Sequence, residues 1–291
     1  MDDNYRDKQI FKEICKDAID MHIHSSLDLI PRKLNDIEVA RQAKEAGMRA
    51  ILLKNHFEST VGRAYLVQNI VGDEIKVFGG CVLNFPVGGI NPEAVDVAIK
   101  LGAKEIWMPT IHSKNHIIKM ENNKLDNKGI YILNKKGKLN SSVYDVLELI
   151  SKSGVVLGTG HLSTQEIILL VKEAHKMGIE KILITHPEWW LVDMNLDLQL
   201  ELSKEGAYFE RCIYFLTEKG NKKGVFSTIV ESIRKVGVES TVLATDFGQE
   251  FNPTPTLGLA WYIRNMLESG FKEKELDVML KRNPSILLGI K

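Results

Sequence analysis

The chain of 291 residues holds just three cysteines, Cys15, Cys81 and Cys212. They are far apart, odd in number and form no Cys-x-x-Cys. That excludes a disulfide framework as the organising principle and favours a reducing, cytoplasmic setting. Long apolar runs are also missing, since none approaches the roughly 18 residues needed to span a bilayer. The opening Met1-Asp2-Asp3-Asn4 is charged and lacks an apolar h-region, so no secretory signal is expected. Nor is there an excess of one charge. The 38 basic and 38 acidic residues cancel, which removes the basic footprint of a nucleic-acid binder. Aromatic residues make up only 7%, so no sticky patch decides the oligomeric state, and a homo-oligomer stays open. No Gly-x-Gly-x-x-Gly follows an early strand, which weighs against dinucleotide binding.

What is present is a repeat. A helical pattern ends in Gly, and a short β-rich run follows. Gly47, Gly102, Gly154, Gly178, Gly206 and Gly237 all stand this way, as residues do that end a helix at positive φ. Between them lie helical faces such as Ile167, Leu170, Val171, Ala174 and Met177. The runs read as strands near residues 18–24, 49–55, 75–83, 104–110, 155–160, 181–185, 207–212 and 241–245. They are short and apolar, as in a parallel sheet covered on both sides. Eight βα units in one chain predict an α/β fold, a (β/α)8 TIM-type barrel forming a single domain over residues 1–291. A doubly wound open sheet is the alternative. The polar, Lys-rich stretch 113–140 interrupts the pattern. Its segment 129–139 reads as a β-hairpin inserted after strand four, either a flap over the site or a solvated loop.

Barrel active sites form where strands end and βα loops begin. Strand one ends in His22-Ile23-His24, and alternation turns both rings to one side. Lys54-Asn55-His56 ends strand two, His112 follows strand four, and His161 and His186 follow strands five and six. Glu210 stands on strand seven and Asp246 ends strand eight. Of eight histidines, six (His22, His24, His56, His112, His161, His186) lie at or just past strand ends, while His116 and His175 do not. Histidine with carboxylate is the ligand set of zinc and similar divalent metals. Taken singly, each residue has an ordinary explanation. Asp246 could cap a helix, and Glu210 could pair with a nearby Arg.

His-x-His on strand one, single histidines ending strands five and six, and Asp ending strand eight resemble the amidohydrolase superfamily. The closing Lys281-Arg282-Asn283-Pro284-Ser285-Ile286-Leu287-Leu288-Gly289 also looks like its extra C-terminal helix. Asp20-Met21-His22-Ile23-His24-Ser25-Ser26, Leu53-Lys54-Asn55-His56-Phe57 and Ile184-Thr185-His186-Pro187 resemble an uncharacterised branch of it. The resemblance implies a metal-dependent hydrolase acting on an amide, ester, lactone or related bond of a small polar substrate. It implies that His22 and His24 bind the more buried metal, and that His161 and His186 bind a second, or one of them joins the first. Asp246 would ligate metal and act as general base on water. Zn suits this set, with Mn, Fe, Ni or Co also fitting, as one or two ions per chain. Strand four lacks the lysine that often bridges two metals. Lys54 is then either a carboxylated bridge or an unmodified cation for an anionic substrate.

A PHP-type phosphoesterase is the alternative, since its first motif is similar. Its second strand usually ends in Thr-Asp-His, however, where Lys54-Asn55-His56 stands here. A non-catalytic metal- or ligand-binding barrel is the third reading. Substrate contacts are expected from His56, His112, Glu210 and Arg63, the last beside a helix start after strand two. Trp189 and Trp190 could wall the mouth.

Overall fold

The computed structural model describes residues 13–120, 129–216 and 225–290. Eight parallel strands lie side by side in chain order: β1 (Ile19–Ile23), β2 (Ala50–Leu53), β3 (Lys76–Val82), β4 (Glu105–Trp107), β5 (Val156–Gly158), β6 (Ile182–Thr185), β7 (Tyr208–Cys212) and β8 (Thr241–Ala244). Each falls inside the segment its apolar run predicts. The six glycines predicted to end helices all have positive φ; Gly154, at 68°, caps the helix Ser141–Ser153 by donating to the Ile150 carbonyl. The helices start where side chains can accept their free N–H groups. Asn35 with Glu38, and Ser163 with Glu166, form reciprocal capping boxes.

Apolar side chains inside the barrel (Ile19, Met21, Leu52, Trp107, Leu183 and Val242) pack together with Leu287 and Leu288 of the C-terminal helix Asn283–Leu288. That helix therefore closes the end of the barrel opposite the strand C-termini. Two larger clusters fill the space between the sheet and the outer helices. Among the described residues no helix is long and apolar enough to cross a membrane.

The insertion differs from its predicted hairpin. Lys114–Met120 forms a helix, started by Ser113, whose Oγ accepts from His116 N–H at 3.1 Å. Beyond it, Leu133 and Leu139 make a single antiparallel bridge around the turn at Asn134–Gly137, with no strand pair. The turn's polar groups are satisfied locally by the Asn134 side chain, which accepts from Lys136 and Lys138 N–H. Residues 121–128 of the predicted flap lie outside the described residues.

β1 and β8 close the ring. Asp246 N–H donates to the His22 carbonyl and His24 N–H to the Phe247 carbonyl, both at 2.8 Å. Below these bonds the Asp20 side chain fills the seam. It accepts from Thr245 N–H at 3.1 Å, Thr245 Oγ at 2.5 Å and His22 N–H at 3.2 Å. Burial lifts the Asp20 carboxyl from an ordinary 3.8 to about 6, although those hydrogen bonds and His22 pull it down. In the unfolded chain the group ionises at its ordinary value. Between the two values the folded state holds the extra proton, so this contribution to stability falls as pH rises. The full swing is about 3 kcal/mol. Asp20→Asn removes it. Denaturant titrations at about pH 4 and about pH 7 are expected to show the variant gaining on the wild type by up to ~3 kcal/mol. A constant difference would mean that Asp20 does not titrate in the seam.

Candidate functional site

The two histidines of β1 project to one side, as their spacing predicts, and Asp246 reaches both. Its Oδ1 lies 3.1 Å from His22 Nε2 and 3.2 Å from His24 Nε2, and its Oδ2 lies 3.5 Å from His186 Nε2. All four residues are buried. His186 and Asp246 are held at φ 54° and 53°. Outside glycine this left-handed backbone is costly, and it persists where surrounding structure enforces it, often at functional sites. Here the bonds across the β1–β8 seam enforce it for Asp246.

The other nitrogen of His22, Nδ1, lies 3.0 Å from Glu210 Oε2. A carboxylate there accepts a hydrogen bond from Nδ1–H and so favours the tautomer with its lone pair on Nε2, the one a metal ligand needs. Glu210, expected to read substrate, is instead fully buried beneath the histidines, so it orients His22 and does not line the mouth. Lys54 is buried too, with Nζ 3.1 Å from His22 Nε2 and 5.0 Å from the Trp107 ring centre.

Electrostatics sets the protonation of this cluster. Burial works to raise the Asp246 carboxyl. The charge on His22, hydrogen bonds from His22 and His24, and His186 outweigh it and hold the acid well below the carboxylate range. Burial pushes His186 down to about 3. Burial, then the charge of Arg32, keeps His24 well below its ordinary value. His22 is the exception. Burial opposes its charge, but Asp246 and Glu210 raise it.

His161 stands on the other side of His186, with ring centres 5.7 Å apart. It is seated by Gly160, at φ 60°, whose backbone presses on strand four's exit. A Cβ there would come 2.3 Å from the Met108 carbonyl oxygen. His161 does not join the His22–His24–Asp246 group. Its Nδ1 lies 2.9 Å from Nδ1 of His116, and the two rings stack. His116 had no strand-end signal; the unexpected helix Lys114–Met120 delivers it. Trp189 lies between 5.0 and 5.8 Å from the ring centres of His161, His186 and His116, so it packs among the imidazoles. His56 sits 4.8 Å from His24, with Nδ1 held 2.9 Å from Thr110 Oγ. His112 is half-buried between Phe85 and Phe57, 5.0 and 6.3 Å away, outside the cluster.

Arg63 is fully committed elsewhere. Nε and Nη2 grip both oxygens of Asp36 at 2.7 Å, Nη1 reaches Glu58 at 2.6 Å and the Leu27 carbonyl at 2.7 Å, and Nη2 reaches the Ser25 carbonyl at 3.3 Å. No donor remains for an anionic substrate. The side chain instead ties the loop after β1 to the helix starts at Asp36 and Val61. Arg63→Ala is expected to destabilise the fold by about 2–3 kcal/mol, because it leaves the buried Asp36 carboxylate without its guanidinium. Urea unfolding checks this, and a loss under 1 kcal/mol would contradict the clamp.

Several buried polar groups carried no recognised signal. Asp20 lay in the quoted strand, two residues before His22. Glu105 interrupts the apolar run of β4. Its two carboxyl oxygens have no partner among the described residues, and burial, reinforced by Glu210, raises it well above the ordinary range. Arg211 pairs with Glu188 and donates to Gln199 Oε1 at 3.0 Å. The Arg next to Glu210 thus serves the loop after His186.

Among the described residues, two groups have donors close enough to hold an ion: His22, His24 and Asp246; and His22, His186, Glu210 and Cys212. The first fits. Bonds of about 2.1 Å in a tetrahedral site place donors roughly 3.4 Å apart, close to the spacings observed. The second needs the Nδ1 lone pair that Glu210 directs away, and a thiolate. Burial and the carboxylates of Glu210, Asp246 and Asp20 push the Cys212 thiol well up instead.

The ring of eight βα strands, with buried histidines and Asp246 at the strand ends, is a (β/α)8 barrel, and its fold is similar to those of solved amidohydrolases and lactonases. Solved structures match it over nearly their full lengths. One is an amidohydrolase from Pseudomonas aeruginosa (TM-score 0.66, 10% identity, 96% of this chain and 97% of that one). Another is a lactonase from Listeria monocytogenes (0.61, 11%, 96% and 96%). A third is the dipeptidase AC, a metallopeptidase (0.65, 9%, 94% and 98%). At these identities the likeness concerns the fold. Residues 17–210 match the model of a family of unknown function, DUF6282, and the chain belongs to that family. No curated protein matches it.

Proposed function

We propose that this protein is a metal-dependent hydrolase of a small polar substrate, cleaving an ester, lactone, amide or related bond. The observation that carries the reading is the convergence of His22 Nε2 and His24 Nε2 on one oxygen of Asp246, Oδ1, at 3.1 and 3.2 Å. These residues would hold one divalent cation, with Zn the best match to the donors, and His186 stands ready on the other Asp246 oxygen. When bound, such a cation polarises the scissile carbonyl and brings the pKa of water to roughly 7.

The chain supplies the rest. Asp246, ionised at neutral pH, takes the proton of the attacking water. The water oxygen bonds to the carbonyl carbon, the bond to the leaving group breaks, and Asp246 passes the proton to that group. Glu210 keeps His22 in the productive tautomer. Lys54 is an unmodified lysine in this account, its Nζ 3.1 Å from His22 Nε2 at the edge of the proposed ion site. His56 and His161 line the approach, and Trp189 shields the imidazoles from water.

The test is a panel of esters, lactones, amides and phosphoesters offered to Zn- or Mn-loaded protein. Hydrolysis of carboxylic substrates, abolished by chelator and restored by metal, is expected. A fully metal-loaded protein inert to the whole panel would favour a non-catalytic binding barrel. Turnover of phosphoesters alone would favour the phosphoesterase reading.

A further inference from the structure

Arg32 lies in the loop after β1 with a side chain only 2% exposed. Its Nε donates to Asp28 Oδ2 at 2.8 Å, while the other Asp28 oxygen accepts from Ile30 N–H. Its Nη2 has no hydrogen-bond partner among the described residues. A buried cationic N–H without an acceptor is expensive. The guanidinium fork is also shaped to take two oxygens of a planar anion. The loop itself is held firmly, so this is not a side chain adrift.

The backbone fixes where that open fork stands. Arg32 bridges Gln249, and Lys33 N–H donates to the Gly248 carbonyl at 2.8 Å. Gly248, at φ 143°, lies so close to His24 that a Cβ would meet the His24 carbonyl oxygen at 1.9 Å. Arg32 is thereby stitched between the two loops that carry His24 and Asp246. Its charge is felt by His24, His56 and Tyr214, each on a different strand exit. The same two loops expose Leu27, Leu29 and Phe251, at 82%, 78% and 49%.

The geometry points to Arg32 as the receptor for a carboxylate carried by the substrate on a carbon frame. The reacting bond then lies toward Asp246 and the apolar part toward Leu27, Leu29 and Phe251. This inference rests on the hydrolase reading for the reaction, but the anion socket can be measured without turnover. It also restores the anion-binding role expected of Arg63 to a different arginine, one whose donors are not all taken.

The experiment is calorimetric titration of Zn-loaded protein with glutarate and with glutaramide, its uncharged counterpart. The wild type is expected to bind glutarate more tightly by tenfold or more. Arg32→Met should weaken glutarate by about 30-fold, the loss of one charge-assisted pair. Glutaramide binding and Zn content should stay unchanged, and Arg32→Lys should recover part of the loss. Unaltered glutarate binding in Arg32→Met overturns the proposal. So does equal loss of both ligands together with Zn, which would make Arg32 a structural partner of Asp28. An Arg32-dependent preference for glutarate in a protein inert to the whole substrate panel would sustain the socket and refute the hydrolase. Hydrolysis with no Arg32 dependence would do the reverse.

Discussion

Asp246→Asn is expected to fold normally, keep zinc at saturating concentration and lose about 10³-fold in kcat, the usual contribution of a general base. The substitution is unusually clean. Asn tolerates the left-handed backbone at φ 53° as Asp does. The Asp246 N–H bond to the His22 carbonyl and the Asp246 carbonyl's bond from Gln249 are main-chain contacts that survive it. Oδ1 also remains to face His22 and His24. What disappears is the negative charge and the ability to accept a proton. The loss corresponds to about 4 kcal/mol of transition-state stabilisation. A variant with wild-type kcat on any substrate the protein turns over would remove Asp246 from the chemistry.

His22→Ala is expected to abolish tight metal binding, and thermal unfolding reads this directly. Zinc at one hundred times its dissociation constant stabilises a folded protein by about 2.7 kcal/mol. The wild type should therefore gain several degrees in Tm on adding zinc and lose them with chelator. In His22→Ala, Tm should not respond. The variant also leaves Glu210 without its imidazole partner, so its metal-free Tm should fall below that of the wild type. That second loss separates the roles: a lower baseline reports the buried His22–Glu210 contact, and the missing zinc response reports the ligand. A full zinc response in His22→Ala would place the metal elsewhere.

The sequence is most informative where one physical rule acts locally. The strands are mostly apolar because helices cover one side and the barrel interior the other, and all eight form where those runs lie. Helix-ending glycines show themselves through a backbone need that few other residues meet. His22 and His24 share a side because strand alternation leaves no choice. The misreadings are those that depend on distant partners. Arg63 looked available beside a helix start, yet its carboxylate, Asp36, lies 27 residues earlier. Glu210 looked like a rim residue until β7 placed it under a histidine 188 positions away. Asp20 matters because β1 meets β8, a fact of ring closure that no single strand announces. His116 entered through a short helix in a stretch whose polarity suggested a loop and hairpin. Arg32 had neither periodicity nor motif to mark it. Its significance is a buried donor left open, which exists only in three dimensions.

Whether His22, His24 and Asp246 hold a divalent cation is read by elemental analysis. Wild type and His22→Ala would be loaded with zinc, dialysed together and measured by mass spectrometry against protein concentration. About one zinc per wild-type chain is expected, held by three protein donors that leave a position for water, and almost none in the variant. Equal metal content in the two proteins would contradict it.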